Sequence, residues 1–143
     1  MQKTIHIGCD HAAVDLKNAI IRQLEDRGLT ATDHGTYTAD SCDYPDIAHD
    51  VCSAVEKEDG TGILLCGTGI GMSMAANRHQ GVRAAVCTTE LHARLARRHN
   101  NANVLCLGAR MTGAELARAI VDAFLDTDFE GGRHQRRIDK ISC

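Results

Sequence analysis

Ile63-Leu64-Leu65-Cys66-Gly67-Thr68-Gly69-Ile70-Gly71-Met72-Ser73 reads as a buried strand ending on a cysteine, a loop with glycine at alternate positions, and a helix start. The helix-forming residues Ala75, Ala76 and Asn77 follow. Bare backbone N–H groups next to a helix N-terminus make a place for negative charge. A cysteine beside such amides has a reason to become a thiolate, because they favour the charged form of the sulfur. The loop therefore joins an anion-stabilising pocket to a potential base or nucleophile. It does not fit the dinucleotide fingerprint G-x-G-x-x-G, because Met72 stands where the last glycine belongs. Nor does Gly-Lys-Ser/Thr follow, as a nucleoside-triphosphate loop requires.

Outward from this stretch, apolar runs and helical patterns alternate. Residues 4–9 read as a first strand, turned at Gly8-Cys9-Asp10-His11. Ala12, Ala13, Leu16, Ala19, Ile20 and Leu24 then recur at helical spacing, ended by Gly28. Residues 29–33 make a short second strand, and 35–44 a polar loop. Pro45 suits the first turn of a helix whose apolar face is Ile47, Ala48, Val51, Cys52 and Val55. After the strand at 63–66 and the short helix come a fourth strand at 82–87 and a helix at 90–98, with Leu95 and Ala96 inward. A fifth strand occupies 103–107. Thr112-Gly113-Ala114-Glu115 has capping-box spacing and opens a helix facing inward through Leu116, Ile120, Val121 and Phe124. The basic tail, 131–141, is helical after Gly132. Five strands that read as continuous apolar runs, each followed by a helix, predict an α/β fold with a five-stranded parallel sheet covered on both sides. In such sheets ligands bind at the carboxyl ends of the strands. Asp10-His11, Cys66 to Gly71 and Gly108-Ala109-Arg110 are therefore expected to converge.

Composition narrows the function. The chain has 143 residues, enough for one domain with a substantial core and no visible linker, so residues 1–143 are read as a single domain. A net charge of −3, with two tyrosines, two phenylalanines and no tryptophan, argues against a nucleic-acid binder. No apolar run approaches the roughly 18 residues of a membrane span. The N-terminal sequence lacks a signal peptide's apolar segment, and seven cysteines without one suggest free thiols in the cytoplasm. No C-x-x-C or H-E-x-x-H occurs, so neither a thioredoxin-like site nor a dedicated zinc site is expected.

Each candidate also has a plainer reading. Cys52, Cys87 and Cys106 fall at apolar positions as small core residues, and Cys66 could be another. Asp10 could cap the first helix. His11 could be a turn histidine. His99 suits the negative end of the fourth helix's dipole, and Asn100 could terminate that helix. Arg133 and Arg137, four apart on a helix, share one face that suits a phosphate, although solvated charged tails are common. Convergence, rather than any one residue, favours a site.

Together these segments resemble the type B ribose-5-phosphate isomerases, a family that also contains the galactose-6-phosphate isomerase subunits. The resemblance rests on Gly8-Cys9-Asp10-His11-Ala12, Asp43-Tyr44-Pro45, Cys66-Gly67-Thr68-Gly69-Ile70-Gly71, Arg98-His99-Asn100, Asn103-Val104-Leu105 and Glu130-Gly131-Gly132-Arg133-His134-Gln135-Arg136-Arg137. It implies an aldose–ketose isomerase on a Rossmann-like three-layer sandwich, without metal or nucleotide cofactor, acting as a homodimer or dimer of dimers. It assigns Cys66 as the base between carbons 1 and 2 and His99 as the acid that opens the furanose. Asp10 and Tyr44 would position the sugar, and the amides of Gly67, Thr68, Gly69, Ile70 and Gly71 would hold the enediolate. His11, Arg133 and Arg137 would bind phosphate, with Asn100 and Arg110 completing a pocket shared between subunits. A branch of the family uses a glutamate in place of the cysteine; here Ala75 lies near that position, which favours the cysteine branch. Other readings are an isomerase of a hexose 6-phosphate (allose or galactose 6-phosphate), a non-catalytic nucleotide- or anion-binding module, and a thiol redox protein.

Overall fold

A computed structural model describes residues 3–143. Its elements run β1 (Ile5–Cys9), α1 (Val14–Asp26), β2 (Ala31–Asp33), α2 (Tyr44–Glu58), β3 (Thr61–Cys66), α3 (Ile70–Ala76), β4 (Ala84–Val86), α4 (Glu90–Asn100), β5 (Val104–Gly108), α5 (Ala114–Asp126) and α6 (Arg133–Asp139). All strand pairs are parallel, in the order β2-β1-β3-β5-β4. The central strands β1, β3 and β5 carry the continuous apolar runs, as burial on both faces demands. The edge strands are shorter than the sequence pattern predicts, three residues each, because only one neighbour is there to pair.

Alternation along the strands divides the core between the two faces. Ile63, Leu65, Leu105 and Leu107 pack under α1, α4 and α5 with Ile20, Leu24, Ala93, Ile120 and Phe124. Leu64, Cys66, Val104 and Cys106 face α2 and α3 with Val51, Cys52, Val55 and Met72. Gly8 lets α2 approach β1, since a Cβ there would lie 2.6 Å from Ile47 Cγ2.

Four local expectations are corrected. The capping box at Thr112 does not form: Gly113 is the N-cap of α5 without a side-chain bond, and Thr112 is buried. Leu116 is exposed, and Ala117 and Ala123 take inward positions beside Ile120, Val121 and Phe124. Asn101, at φ 45°, ends α4 one residue beyond Asn100. Asp10 does not cap α1, whose N-cap is Ala13; its Oδ1 accepts from Ala12 N at 2.9 Å in a tight turn before the helix.

Lys17 is an unexpected core member. It lies on the inner face of α1 with no exposure, and its ammonium donates to Asp33 Oδ1 (2.8 Å), Asp33 Oδ2 (3.0 Å) and Thr36 O (2.7 Å). All three donors are thereby used. The pair fixes the loop after β2 against β1, where Cys9 N donates to Gly35 O and Thr36 N to Cys9 O.

Candidate active site

The strand order reverses between β1 and β3: the chain steps outward from β1 to β2, then returns to the other side of β1. The crevice at the carboxyl ends of such a pair is where open α/β sheets bind ligands. All three expected motifs meet there. Asp10 N donates to Leu65 O at 3.0 Å, Ala109 N to Cys66 O at 2.8 Å, and Arg110 N to Gly67 O at 3.0 Å.

Cys66 closes β3 on the α2/α3 face, 4% exposed. Its Sγ accepts the Gly69 N–H at 3.1 Å. That bond requires Gly69, the N-cap of α3, to adopt φ 80°, a left-handed conformation natural to glycine. A Cβ on Gly69 would also lie 3.0 Å from the Leu107 carbonyl carbon. Thr68 Oγ1 accepts from Ile70 N at 3.2 Å, which completes the turn.

Hydrogen bonding separates Cys66 from the other buried cysteines. Cys9 and Cys87 donate their S–H groups to the carbonyls of Thr36 and Ala85. Burial pushes the Cys9 and Cys87 thiols up to about 11 and Cys52 to about 12, and also raises Cys106. These four are inert thiols of the core. At Cys66 a backbone donor points at the sulfur, the arrangement that stabilises negative charge there.

Around the loop, Tyr44 reaches from the start of α2 with its ring over Gly71, where a Cβ would lie 2.6 Å from Tyr44 Cζ. The Arg110 guanidinium lies against Gly67, its Nη1 3.2 Å from a Cβ built there. Asp10 is buried beside this group, and His11 is half-buried, its Nδ1 accepting from Cys42 N at 3.3 Å.

The remaining candidates stand elsewhere. A helix between parallel strands runs antiparallel to them, so α4 starts at the carboxyl edge and ends at the amino edge. From Glu90 to His99 it rises about 13 Å at ~1.5 Å per residue. Arg83, immediately before β4, marks the amino edge by donating to Asn100 O and Asn101 O at 3.1 Å. His99 and Asn100 thus face away from the Cys66 crevice of their own chain. Arg133 and Arg137, exposed on α6, accompany them, because α6 packs on the end of α4. The His99 and His134 rings stack with centroids 4.5 Å apart and planes 18° from parallel. Glu130 N donates to Arg98 O at 3.1 Å, and Glu130 Oε2 lies 3.5 Å from His134 Nε2. The candidate residues therefore form two groups at opposite ends of the sheet.

His99, Glu130 and His134 also bring ligand atoms within 4.8 Å of one another. A bound ion must sit near both ring planes, about 2.0–2.1 Å from each nitrogen. Stacked, nearly parallel rings direct their lone pairs side by side, so the geometry favours a stack over a chelate. His134, like Glu130, carries no assigned role in the sequence analysis. Its signals were the i,i+4 spacing to Glu130 and its place between two arginines.

Residues 5–141 match the ribose/galactose isomerase family. The chain belongs to this family. It is 48% identical over 143 residues to ribose-5-phosphate isomerase B of Escherichia coli, covering 99% of this chain and 95% of that one. It is equally similar, 48% over 140 residues, to D-erythrulose-4-phosphate isomerase of Pectobacterium atrosepticum, covering 96% and 92%. The structure of Mycoplasma genitalium ribose-5-phosphate isomerase B with bound ribulose-5-phosphate superposes with a TM-score of 0.94 at 48% identity, covering 96% and 93%. The fold expected from the strand pattern is the fold of this family. Among the described residues no helix is long and apolar enough to cross a membrane.

Proposed function

We propose that the chain, acting throughout as one isomerase domain, interconverts ribose 5-phosphate and ribulose 5-phosphate, with Cys66 as the base. The observation that carries this reading is the Gly69 amide aimed at Cys66 Sγ in the β1/β3 crevice. Ribose 5-phosphate is a closed furanose and must open before its C2 proton becomes acidic. His99 supplies a proton to the ring oxygen as the bond from C1 to that oxygen breaks, and the C1 hydroxyl releases its proton to solvent, which leaves the free C1 aldehyde. The Cys66 thiolate removes the C2 proton, and the electron pair moves into the C1–C2 bond as O1 takes the charge. The proton on O2 passes to O1 as the thiol returns its proton to C1, which leaves a hydroxyl at C1 and the ketone at C2. Removing such a weakly acidic proton requires both a base and donors at the developing oxyanion. The donors are amides of the loop at 67–71, among which the Gly69 and Ile70 N–H groups are already held by Cys66 Sγ and Thr68 Oγ1. Asp10 and Tyr44 flank the sugar, and Arg110, His11, Asn100, Arg133 and Arg137 surround the phosphate, where two-pronged guanidinium contacts are strong.

Because His99, Asn100, Arg133 and Arg137 lie at the far end of the sheet, the pocket is completed by a second copy. A homodimer, alone or paired into a dimer of dimers, is the assembly this reading requires, and the cytoplasm its setting. The family includes relatives acting on other chain lengths, so a shorter or longer sugar phosphate is the competing reading. The test is turnover of ribose 5-phosphate, erythrulose 4-phosphate and allose 6-phosphate in parallel, with Cys66→Ala beside the parent. Cys66→Ala is expected to abolish turnover with its circular dichroism and melting profile unchanged. Near-normal turnover in that variant rejects Cys66 as the base. A preference for another sugar keeps the mechanism and changes the substrate.

A further inference from the structure

We propose that His134 is a positioning residue for ring opening: its imidazole holds the His99 ring in register with the phosphate-binding helix. The inference rests on the assignment of His99 as the ring-opening acid. His99 is the penultimate residue of α4, where a helix end leaves a side chain little support from its own backbone. Its support comes from α6. The His134 side chain is only 7% exposed, and its ring lies flat against His99 at 4.5 Å. His134 Nε2 is buried without a hydrogen-bond partner, and Glu130 Oε2 stands 3.5 Å away. His134 thus meets His99 through its ring face, while its Nε2 edge lies beside the Glu130 carboxylate.

The consequence is mechanical. Arg133 and Arg137 flank His134 on one short helix, while Glu130 N ties the segment before that helix to Arg98 O. Phosphate seated on the arginines and the proton on His99 are therefore referred to one rigid unit. Ring opening needs the imidazole aligned on a single oxygen, and a displacement of about 1 Å in such a group can cost on the order of a hundredfold.

The chemistry of the two sugars separates this role from a structural one. Ribose 5-phosphate is cyclic, whereas ribulose 5-phosphate is acyclic, because its 5-hydroxyl is esterified. Enediolate formation from ribulose 5-phosphate, read as deuterium entering C1 in deuterium oxide, needs Cys66 and no ring opening. The experiment compares His134→Ala, His134→Phe and His99→Ala with the parent protein. His134→Ala is expected to lower kcat for ribose 5-phosphate by about tenfold or more, with C1 exchange and KM held within about threefold. His134→Phe, which restores a flat ring face, is expected to recover most of the loss. Unchanged ribose 5-phosphate turnover in His134→Ala overturns the proposal. Equal loss of turnover and exchange, unrelieved in His134→Phe, also overturns it and assigns His134 to structure alone. If His99→Ala itself spares ribose 5-phosphate turnover, the assignment of His99 fails first, a result distinct from either.

Discussion

Two inactive variants, mixed, should regain activity. Cys66 lies at the carboxyl end of β3 and His99 at the far end of α4, on the opposite edge of the same sheet. The strand height, about 20 Å for six residues at ~3.3 Å each, separates the two edges within one chain. If Cys66 and His99 serve one pocket, as proposed, that pocket takes Cys66 from one subunit and His99 from another. Consider Cys66→Ala and His99→Ala, each homodimer carrying two damaged pockets. In a mixed dimer one pocket collects both substitutions, and the other receives native Cys66 and native His99. Random pairing of equal amounts makes half the dimers mixed, each with one intact pocket in two, so activity returns to about a quarter of the parent value. Co-expression with two different affinity tags and sequential purification isolates the mixed species, where recovery should rise to about half. Turnover of ribose 5-phosphate, measured by ribulose 5-phosphate appearance, is the assay. If both groups served one pocket within a chain, every mixed pocket would carry one substitution. Mixed dimers no more active than the homodimers would refute the shared pocket.

Three further outcomes test the frame around the site. Gly108→Ala builds a Cβ 2.6 Å from the Thr68 carbonyl, backbone that cannot swing aside, so it should cost about 1–3 kcal/mol and lower kcat by displacing the loop; an unaltered melting point and kcat would contradict this. Asp33→Asn leaves the buried Lys17 ammonium without its counter-charge, at a cost of about 3 kcal/mol, the low end for buried pairs because the Asp33 side chain is 28% exposed. For a chain of this size that lowers the melting point by roughly 10 °C, and a shift under about 2 °C would show that the pair contributes little. His34, whose Nε2 lies 2.9 Å from His6 Nδ1, is held below its ordinary 6.5 by burial first and by the neighbouring His6 second. It takes up a proton less readily in the folded chain than in the unfolded one, so its contribution to stability is full above about pH 6.5 and falls as pH drops below it. His34→Gln should lose less stability between about pH 7.5 and pH 5.5 in denaturant titrations, and equal losses would remove His34 as a cause.

Near-neighbour signals are legible in the sequence. The strand–glycine–helix stretch at 63–73, the alternation of elements, and the meeting of Asp10, Cys66 and Arg110 at one edge follow from patterns a few residues long. Features that depend on distant partners were not readable. Lys17 interrupts an apolar helix face, and nothing within α1 announces that Asp33 and Thr36 O will neutralise it. Thr112 and Glu115 carry capping-box spacing, but burial of Thr112 overrode the local preference. His134 was hidden because its partner, His99, is 35 positions away on another helix.

The division of the site between two edges was legible, however, without any family resemblance. Once five parallel strands are accepted, every connecting helix must return toward the amino edge. A residue at the end of β3 and one at the end of α4 then sit at opposite edges, whatever the strand order. Any chemistry that needs both Cys66 and His99 therefore demands either a second subunit or a different pair of residues. The same direction rule puts Arg133 and Arg137 with His99, because they follow a helix, α5, that also ends at the amino edge. Chain direction alone thus sorts the candidates into one half with Cys66, the loop amides, Asp10, His11 and Arg110, and another with His99, Asn100, Arg133 and Arg137. The proposed acid, His99, and the arginines of α6 can be linked within one chain, through the His99–His134 stack, only because they share an edge.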